Sequence, residues 1–158
     1  MKLHVVQWPS DKLRLVSKPV EVLADVKDLI VDMQDTLKAL KGLGLAAVQV
    51  GIPVRLIVTD FPEMPVLINP VVTGMGFRKK IREGCLSLPG FFEEVLRSEA
   101  ALVTYVDAAG VDKKLVVEGV AAQCLLHEAE HLAGHFFLEH VSSARRDAIR
   151  VQLRRRKQ

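Results

Sequence analysis

The sequence contains only two cysteines, Cys85 and Cys124, and no apolar run near the length of a membrane span. A transmembrane helix needs about 18 or more consecutive apolar residues, so we expect neither a membrane protein nor a membrane partner. The first residues also lack the apolar stretch of a secretory signal, which predicts a protein of the cytoplasm or of an equivalent organelle compartment. Two cysteines in a reducing compartment are more often thiols or metal ligands than a disulfide.

Internal repeats, low-complexity tracts and linkers are also missing, so the 158 residues predict one domain over residues 1–158. The composition, 49% hydrophobic and 26% charged, is typical of a globular protein. Between Arg145 and Lys157 there are seven Arg or Lys and one acid. We therefore expect residues 141–158 to form a short basic C-terminal helix or tail. We expect no DNA partner, and a monomer.

The spacing of apolar residues predicts an α+β fold. Apolar side chains recur every three or four positions over residues 26–40, which predicts an amphipathic helix. Short runs rich in β-branched residues follow, beginning with 46–50, and the runs 100–106 and 113–120 predict a hairpin. A helical pattern then covers 120–133 and is apolar around most of its circumference, as in a buried helix. Because strands do not alternate with helices, we predict antiparallel strands around this central helix.

The predicted central helix carries an unusual concentration of ionisable side chains. The segment QCLLHEAEHLAGHFF (123–137) places three histidines and two glutamates within nine positions. Charges in an apolar helix are costly unless they are paired or bind a metal. His127 and His131 lie one turn apart on one face, so both imidazoles can reach one ion, with Glu128 beside it to hold and relay a proton. This H-E-x-x-H spacing predicts a catalytic metal site.

The third protein ligand is open at this stage, since a catalytic site usually has three ligands and a water. His135 follows His127 by eight residues, but the metzincin pattern needs a histidine ten residues on, where Phe137 stands. A thermolysin-like site would need a downstream glutamate, and only Glu139 is available. Cys85 lies upstream in the loop-like segment EGCLSLPG, and a thiolate is a strong transition-metal ligand. On the residues alone, Cys85 and His135 are close competitors.

Three segments in register resemble the peptide deformylase family. GLGLAAVQVG (42–51) fits the family pattern G-x-G-Φ-A-A-x-Q, in which Φ is apolar. EGCLS (83–87) is identical to the second family motif, and HEAEH (127–131) fits the third, H-E-x-x-H. The order and spacing also agree, and the similarity covers about residues 8–140. Each motif alone would be weak evidence, whereas the three together are specific.

The resemblance implies a metal-dependent hydrolase that removes the formyl group from formyl-methionyl nascent polypeptides and releases formate. It makes Cys85, His127 and His131 the metal ligands, with a water in the fourth position, and leaves His135 a structural role. Fe(II) is the native metal that the resemblance implies, and Zn(II) or Ni(II) can substitute. Two alternatives remain: an H-E-x-x-H metallopeptidase whose third ligand is not Cys85, and a catalytically silent deformylase-like binding module.

The resemblance also assigns roles in catalysis and substrate binding. Glu128 takes the proton of the attacking water and later delivers it to the leaving amine. The side-chain amide of Gln49 and the backbone N–H of Leu86 stabilise the oxyanion. Cys124 is as well explained by a core thiol as by a substrate contact. The expected substrate-binding residues are Leu43, Gly44, Gly84 and Cys124.

The chain departs from the family pattern at a few positions. Glu130 stands where the family usually has Asp, and we hypothesise that it pairs with Arg97, because both would otherwise be unpaired, half-buried charges. Lys41 stands where the family commonly has an acidic or polar residue. Phe91 and Phe92 are expected at the rim of the cleft. The basic tail could contact ribosomal RNA phosphates, or it could be a solvated helix end.

Overall fold

The computed structural model describes residues 1–157 and contains three α-helices, five strands and four short 3-10 helices. The 3-10 helices cover Asp11–Arg14, Leu23–Val26, Ala47–Val50 and Phe137–His140. The helices and strands are α1 (Lys27–Leu40), β1 (Gly44–Ala46), β2 (Leu56–Thr59), β3 (Val66–Cys85), β4 (Leu88–Val106), β5 (Asp112–Glu118), α2 (Gly119–Leu132) and α3 (Ser143–Arg156).

The five strands form one antiparallel sheet in the order β1-β2-β3-β4-β5. Its largest part is the β3–β4 hairpin, whose register runs from the pair Ile68 and Val106 to the pair Cys85 and Leu88. The turn of this hairpin therefore directly follows Cys85. Together with the helices, this all-antiparallel sheet confirms the predicted α+β fold.

Helix α2 is the central buried helix that the sequence predicts. Its residues Ala122, Leu125 and Leu132 are fully buried and belong to the main hydrophobic cluster, together with residues of the sheet. Because these apolar positions recur at helical spacing, one face of α2 packs on the sheet while its histidines point elsewhere. Helix α1 buries Met33 and Leu37 against a second cluster on the β1–β2 side. No helix within residues 1–157 combines the length and the apolar character needed to cross a membrane.

Two local predictions are wrong. Residues 46–50 are not a strand: β1 ends at Ala46, and Ala47–Val50 is a 3-10 helix, in which the Gln49 carboxamide accepts the Ala46 N–H at 2.9 Å. Cys85 does not lie in a loop, because β3 continues through a polar, exposed stretch up to it. Backbone hydrogen bonds to β4 stabilise that stretch although most of its side chains are exposed. The alternation of apolar and polar residues that normally indicates a strand is therefore absent from the sequence. The last residue of the predicted tail, Gln158, lies outside the described residues.

The end of α2 is determined by Gly134, which has a φ of +80°. A Cβ at this position would lie 2.5 Å from the carbonyl oxygen of Arg14, so the backbone of the Asp11–Arg14 segment packs directly on the glycine. Gly110, in the β4–β5 turn, has a similar φ of +82° but its nearest neighbour would be a Leu23 methyl at 3.6 Å. Substituting the two glycines therefore distinguishes the cost of a side chain in the left-handed region, which both positions share, from the cost of a steric clash, which only Gly134 adds.

We predict that Gly134→Ala destabilises the protein more than Gly110→Ala. Both substitutions place a side chain in the left-handed region, at about 1–2 kcal/mol. Only Gly134→Ala also forces a backbone displacement, which raises its expected cost to about 2–4 kcal/mol. Urea unfolding followed by circular dichroism measures both free energies. Equal losses for the two variants would show that the contact with Arg14 relaxes freely.

Candidate metal centre and substrate cleft

Cys85, His127 and His131 come together at the end of β3 and on one face of α2. One donor atom from each lies within 4.8 Å of the other two, and the Cys85 Sγ is 3.4 Å from the His131 Nε2. Bonds of about 2.0–2.3 Å to one tetrahedral ion would place such donors about 3.3–3.8 Å apart. His135 is not part of this cluster, because it is exposed and its Nδ1 lies 3.0 Å from Glu139. Between the two competing third ligands, the geometry therefore favours Cys85.

A buried carboxylate orients the first histidine. The Nδ1 of His127 lies 2.6 Å from the Glu83 Oε2, which leaves the Nε2 atom for a metal. Burial raises the pKa of Glu83, but the hydrogen bonds from Arg97 and His127 outweigh that effect and lower the pKa to about 2. The sequence reasoning assigned no role to Glu83. Spacing gave no signal for it, because the strand register shifts between Glu83 and Cys85 and the partners of Glu83, Arg97 and His127, are distant in the sequence.

Arg97 pairs with Glu130, as the sequence analysis hypothesised. Its NH1 contacts the Glu130 Oε1, while its Nε and NH2 bond the two Glu83 oxygens at 2.9 and 2.7 Å. The Glu130 carboxylate also lies 2.9 Å from the Nε2 of His140, a contact that the sequence did not predict. Every charge in this chain of contacts has a partner, which is the condition under which buried ions are tolerated.

Glu128 lies between the two histidines and is almost fully buried. Its Oε2 has no hydrogen-bond partner in residues 1–157, and its Oε1 is 4.0 Å from the His127 Nε2. Burial raises the pKa of Glu128 to about 7, so near neutral pH it can both accept and release a proton.

The donor set fits a transition metal. A thiol and two imidazoles are the ligands such ions prefer, and burial lowers the pKa of His131, which favours the neutral form that binds metal. The Oε2 of Glu128 is buried without a partner in residues 1–157. An unpartnered buried polar atom costs about 1–3 kcal/mol, so this oxygen indicates a polar site that the water of a hydrated ion would complete.

Gln49 and Leu86 flank the thiol. The Gln49 side chain is 1% exposed, and its Nε2 donates to the Ser87 Oγ at 3.1 Å and to the Cys85 Sγ at 3.5 Å. Because its Oε1 accepts the Ala46 N–H, the orientation of the amide is determined, with the N–H donors toward Cys85. Leu86 occupies the hairpin turn immediately after Cys85, and the backbone N–H of the next residue, Ser87, donates to the Cys85 Sγ at 3.4 Å.

A cleft of about 460 Å³ opens over the cluster. Cys85, His127 and Glu128 line its base, and the half-exposed Phe92 lies at its rim, as expected. Phe91 also lines the cleft, but it is 4% exposed and belongs to a hydrophobic cluster, so the expectation of a rim position is wrong for this residue. The predicted substrate-binding residues all line it as well: Leu43, Gly44, Gly84 and Cys124.

Comparisons with known proteins agree with this geometry. The model of the family described as polypeptide deformylase matches residues 2–147. The chain belongs to the polypeptide deformylase family. Similar proteins include the peptide deformylase of Azotobacter vinelandii, 39% identical over 96% of this chain and 94% of that one, and the peptide deformylase of Rhizobium meliloti, 42% identical over 89% and 86%. Family membership makes the chain a hydrolase and removes support from the metallopeptidase alternative.

Solved structures of the deformylase family share the fold. The peptide deformylase of Ehrlichia chaffeensis in complex with actinonin superposes with a TM-score of 0.93 and 35% identity, covering 99% of this chain and 98% of that one. The Legionella pneumophila peptide deformylase gives a TM-score of 0.92 and 34% identity over 99% and 96%. The likeness extends over nearly the whole chain, including α3.

We predict that Cys85→Ser lowers metal affinity whereas His135→Ala does not. Loss of a direct ligand should weaken binding by more than the roughly 10–100-fold seen when a residue that only orients a ligand is removed. Metal content after dialysis against graded chelator, measured by mass spectrometry, reports the affinity. Retention of metal by Cys85→Ser together with its loss from His135→Ala would assign the third ligand to His135 instead.

Proposed function

We propose that this deformylase-family chain removes the N-terminal formyl group from formyl-methionyl polypeptides and releases formate. One observation carries the proposal. A thiol, two imidazoles and a buried carboxylate, one oxygen of which has no partner in residues 1–157, converge at the base of one mainly apolar cleft. In the reaction, water adds to the formyl carbon, the C–N bond breaks, and the amine leaves with a proton. The products are formate and a free N-terminal methionine.

Cys85, His127 and His131 would hold the metal. When bound, a divalent ion supplies Lewis acidity that makes water a nucleophile at neutral pH. We propose Fe(II) as the native ion, with Zn(II) or Ni(II) as substitutes, because a thiolate with two imidazoles suits each of these metals. Glu83 keeps the His127 ring oriented toward the shared position through its 2.6 Å contact with Nδ1.

Glu128 and the donors around Cys85 perform the proton transfer and stabilise charge. Glu128 takes a proton from the attacking water at its free Oε2 and returns it to the leaving nitrogen. The Gln49 amide and the Leu86 N–H donate to the formyl oxygen as it gains negative charge. The Ala46 N–H fixes the orientation of the Gln49 amide, and the N–H that contacts the Cys85 Sγ at 3.5 Å is the one that would turn to the formyl oxygen.

The residues around the base of the cleft would receive the methionine. Leu43 and Cys124 present apolar surface, and a Cβ on Gly44 would lie 2.7 Å from the Cys124 Sγ and 3.1 Å from the Glu128 Cγ. Glycine at this position therefore lets Cys124 and the catalytic carboxylate pack directly on the backbone of β1 at the base of the cleft. Gly84 lets the Phe92 ring pack against the backbone of β3 at the cleft in the same way, since a Cβ there would lie 2.7 Å from the ring.

We predict that Glu128→Gln abolishes formate release without unfolding the protein. The amide matches the carboxylate in size but cannot accept the proton, so kcat should fall by about 10²–10⁴-fold. A formate dehydrogenase-coupled assay with a formyl-Met peptide and anaerobically metal-loaded enzyme measures the rate. Glu63→Gln, an exposed position away from the cleft, is the matched control. Wild-type turnover by Glu128→Gln would show that the proton passes through another group.

We also propose that the chain acts as a monomer in the cytoplasm or an equivalent compartment, close to ribosomes, with α3 contacting ribosomal RNA. Several arginines of α3 are used for packing: Arg145 bonds Glu93, and the guanidinium of Arg150 lies 5.0 Å from the centroid of the Trp8 ring. Arg154 and Arg155 instead face outward at the end of the helix. Neither forms an ion pair within residues 1–157, and these two exposed cations are the candidates for phosphate contacts.

We predict that the double substitution Arg154→Glu and Arg155→Glu weakens ribosome binding. Co-sedimentation with ribosomes at low salt should decrease by about tenfold or more, because two phosphate contacts are replaced by repulsion. This substitution is preferable to deleting α3, since α3 also buries Ile149 in the core. The double substitution Lys80→Glu and Lys114→Glu, at exposed positions of β3 and β5, is the charge-matched control. Unchanged co-sedimentation would show that these arginines make no ribosome contact and that the end of α3 is a solvent-exposed helix end.

A further inference from the structure

The mouth of the cleft carries an unbalanced positive charge. Lys41, immediately after α1, and Arg82, on β3, both line the cleft and are exposed. The two anions that line the same cleft, Glu83 and Glu128, are each only 4% exposed at its base. Glu83 is also neutralised by Arg97. A substrate passing through the mouth therefore meets these two lining cations, with the Arg156 guanidinium nearby on the Phe91 ring, and no exposed lining carboxylate.

Both cations are available for a ligand. Neither Lys41 nor Arg82 takes part in an ion pair within residues 1–157, although Glu94 lies across the strand pair from Arg82. The Arg82 guanidinium lies 5.1 Å from the centroid of the half-exposed Phe92 ring. This cation–π contact orients the guanidinium at the rim without neutralising it.

The backbone also constrains both sites. Lys41 has a φ of 55° and its N–H bonds the last turn of α1, so its Cα is held at one position on the rim. On the other side, the Phe92 ring packs against the backbone of Gly84, where a Cβ would lie 2.7 Å from the ring. Arg82 thus rests on a ring that is itself held in place.

The path of the substrate brings its following residues to these cations. The formyl carbon must lie at the base, beside Glu128, and the chain can leave only through the mouth. An extended peptide advances about 3.3–3.6 Å per residue, so the second to fourth residues lie within roughly 14 Å of the reacting carbon. Those residues therefore pass the rim that Lys41, Arg82 and Phe92 form.

We infer that Lys41 and Arg82 are specificity-determining residues that favour acidic side chains at the second to fourth positions of the formyl-Met polypeptide. The inference rests on the proposed function and extends it to the residues that follow methionine. Exposed ion pairs are individually weak, so two of them should change kcat/KM by about three- to tenfold between acidic and basic substrates. The preference should decrease with added salt, because both cations are exposed.

The experiment compares three peptide amides, formyl-Met-Ala-Asp, formyl-Met-Ala-Asn and formyl-Met-Ala-Lys, so that no terminal carboxylate contributes. Formate release by the metal-loaded enzyme gives kcat/KM for each at low and high salt. Calorimetric titration with the deformylated product amides gives a binding constant that does not depend on turnover. The variants are Lys41→Glu, Arg82→Glu and the double substitution, with Lys114→Glu as the charge-matched control outside the cleft.

We expect the Asp peptide to be the best substrate and the Lys peptide the worst, with the order reversed in the double variant and unchanged in Lys114→Glu. Equal kcat/KM and equal product binding for all three peptides would overturn the inference while leaving the proposed function intact. The same order in the wild type and the double variant would also overturn it, since the preference would then arise elsewhere. Absence of formate release from every peptide would overturn both.

Discussion

The Glu83 carboxylate, buried between Arg97 and His127, connects the two parts of the protein on which the site depends. Glu83 and Arg97 belong to the β3–β4 hairpin, and His127 belongs to α2. A buried ion is stable only when each of its oxygens has a partner, so the hairpin and the helix must meet in one relative position. That position brings the Cys85 thiol, two residues along the same strand, to the histidines.

The neighbouring Glu128 follows the opposite principle. It is as buried as Glu83, yet one oxygen has no partner in residues 1–157, so hydrogen bonds do not outweigh the burial that raises its pKa to about 7. Glu83 and Glu128 each have a carboxylate oxygen within 4.0 Å of a His127 ring nitrogen, but only Glu83 also contacts a guanidinium. Their pKa values are therefore shifted in opposite directions. One carboxylate orients a ligand, and the other is suited to move a proton.

The departures from the family pattern have structural consequences of different kinds. Glu130, where the family usually has Asp, contacts Arg97, and its carboxylate also contacts His140. Helix α3 reaches the rim of the cleft, where the Arg156 guanidinium lies 4.4 Å from the centroid of the Phe91 ring. Substitutions in α3 are therefore expected to affect the packing at the cleft rim as well as the binding of any outside partner.

The sequence by itself determined the chemistry of α2 and the class of fold. Apolar spacing identified the buried helix, and a separation of four residues is enough to place His127 and His131 on one face. Spacing alone could not choose between Cys85 and His135, a choice that only the resemblance of EGCLS to the family motif made. Nor could it reveal the role of Glu83, because these relations join residues of the hairpin to the helix across 46 and 44 positions. Sequence spacing relates side chains only within one helix or strand. The positions of the third donor, the orienting carboxylate and the two cations at the mouth were therefore decided by how the hairpin packs on α2.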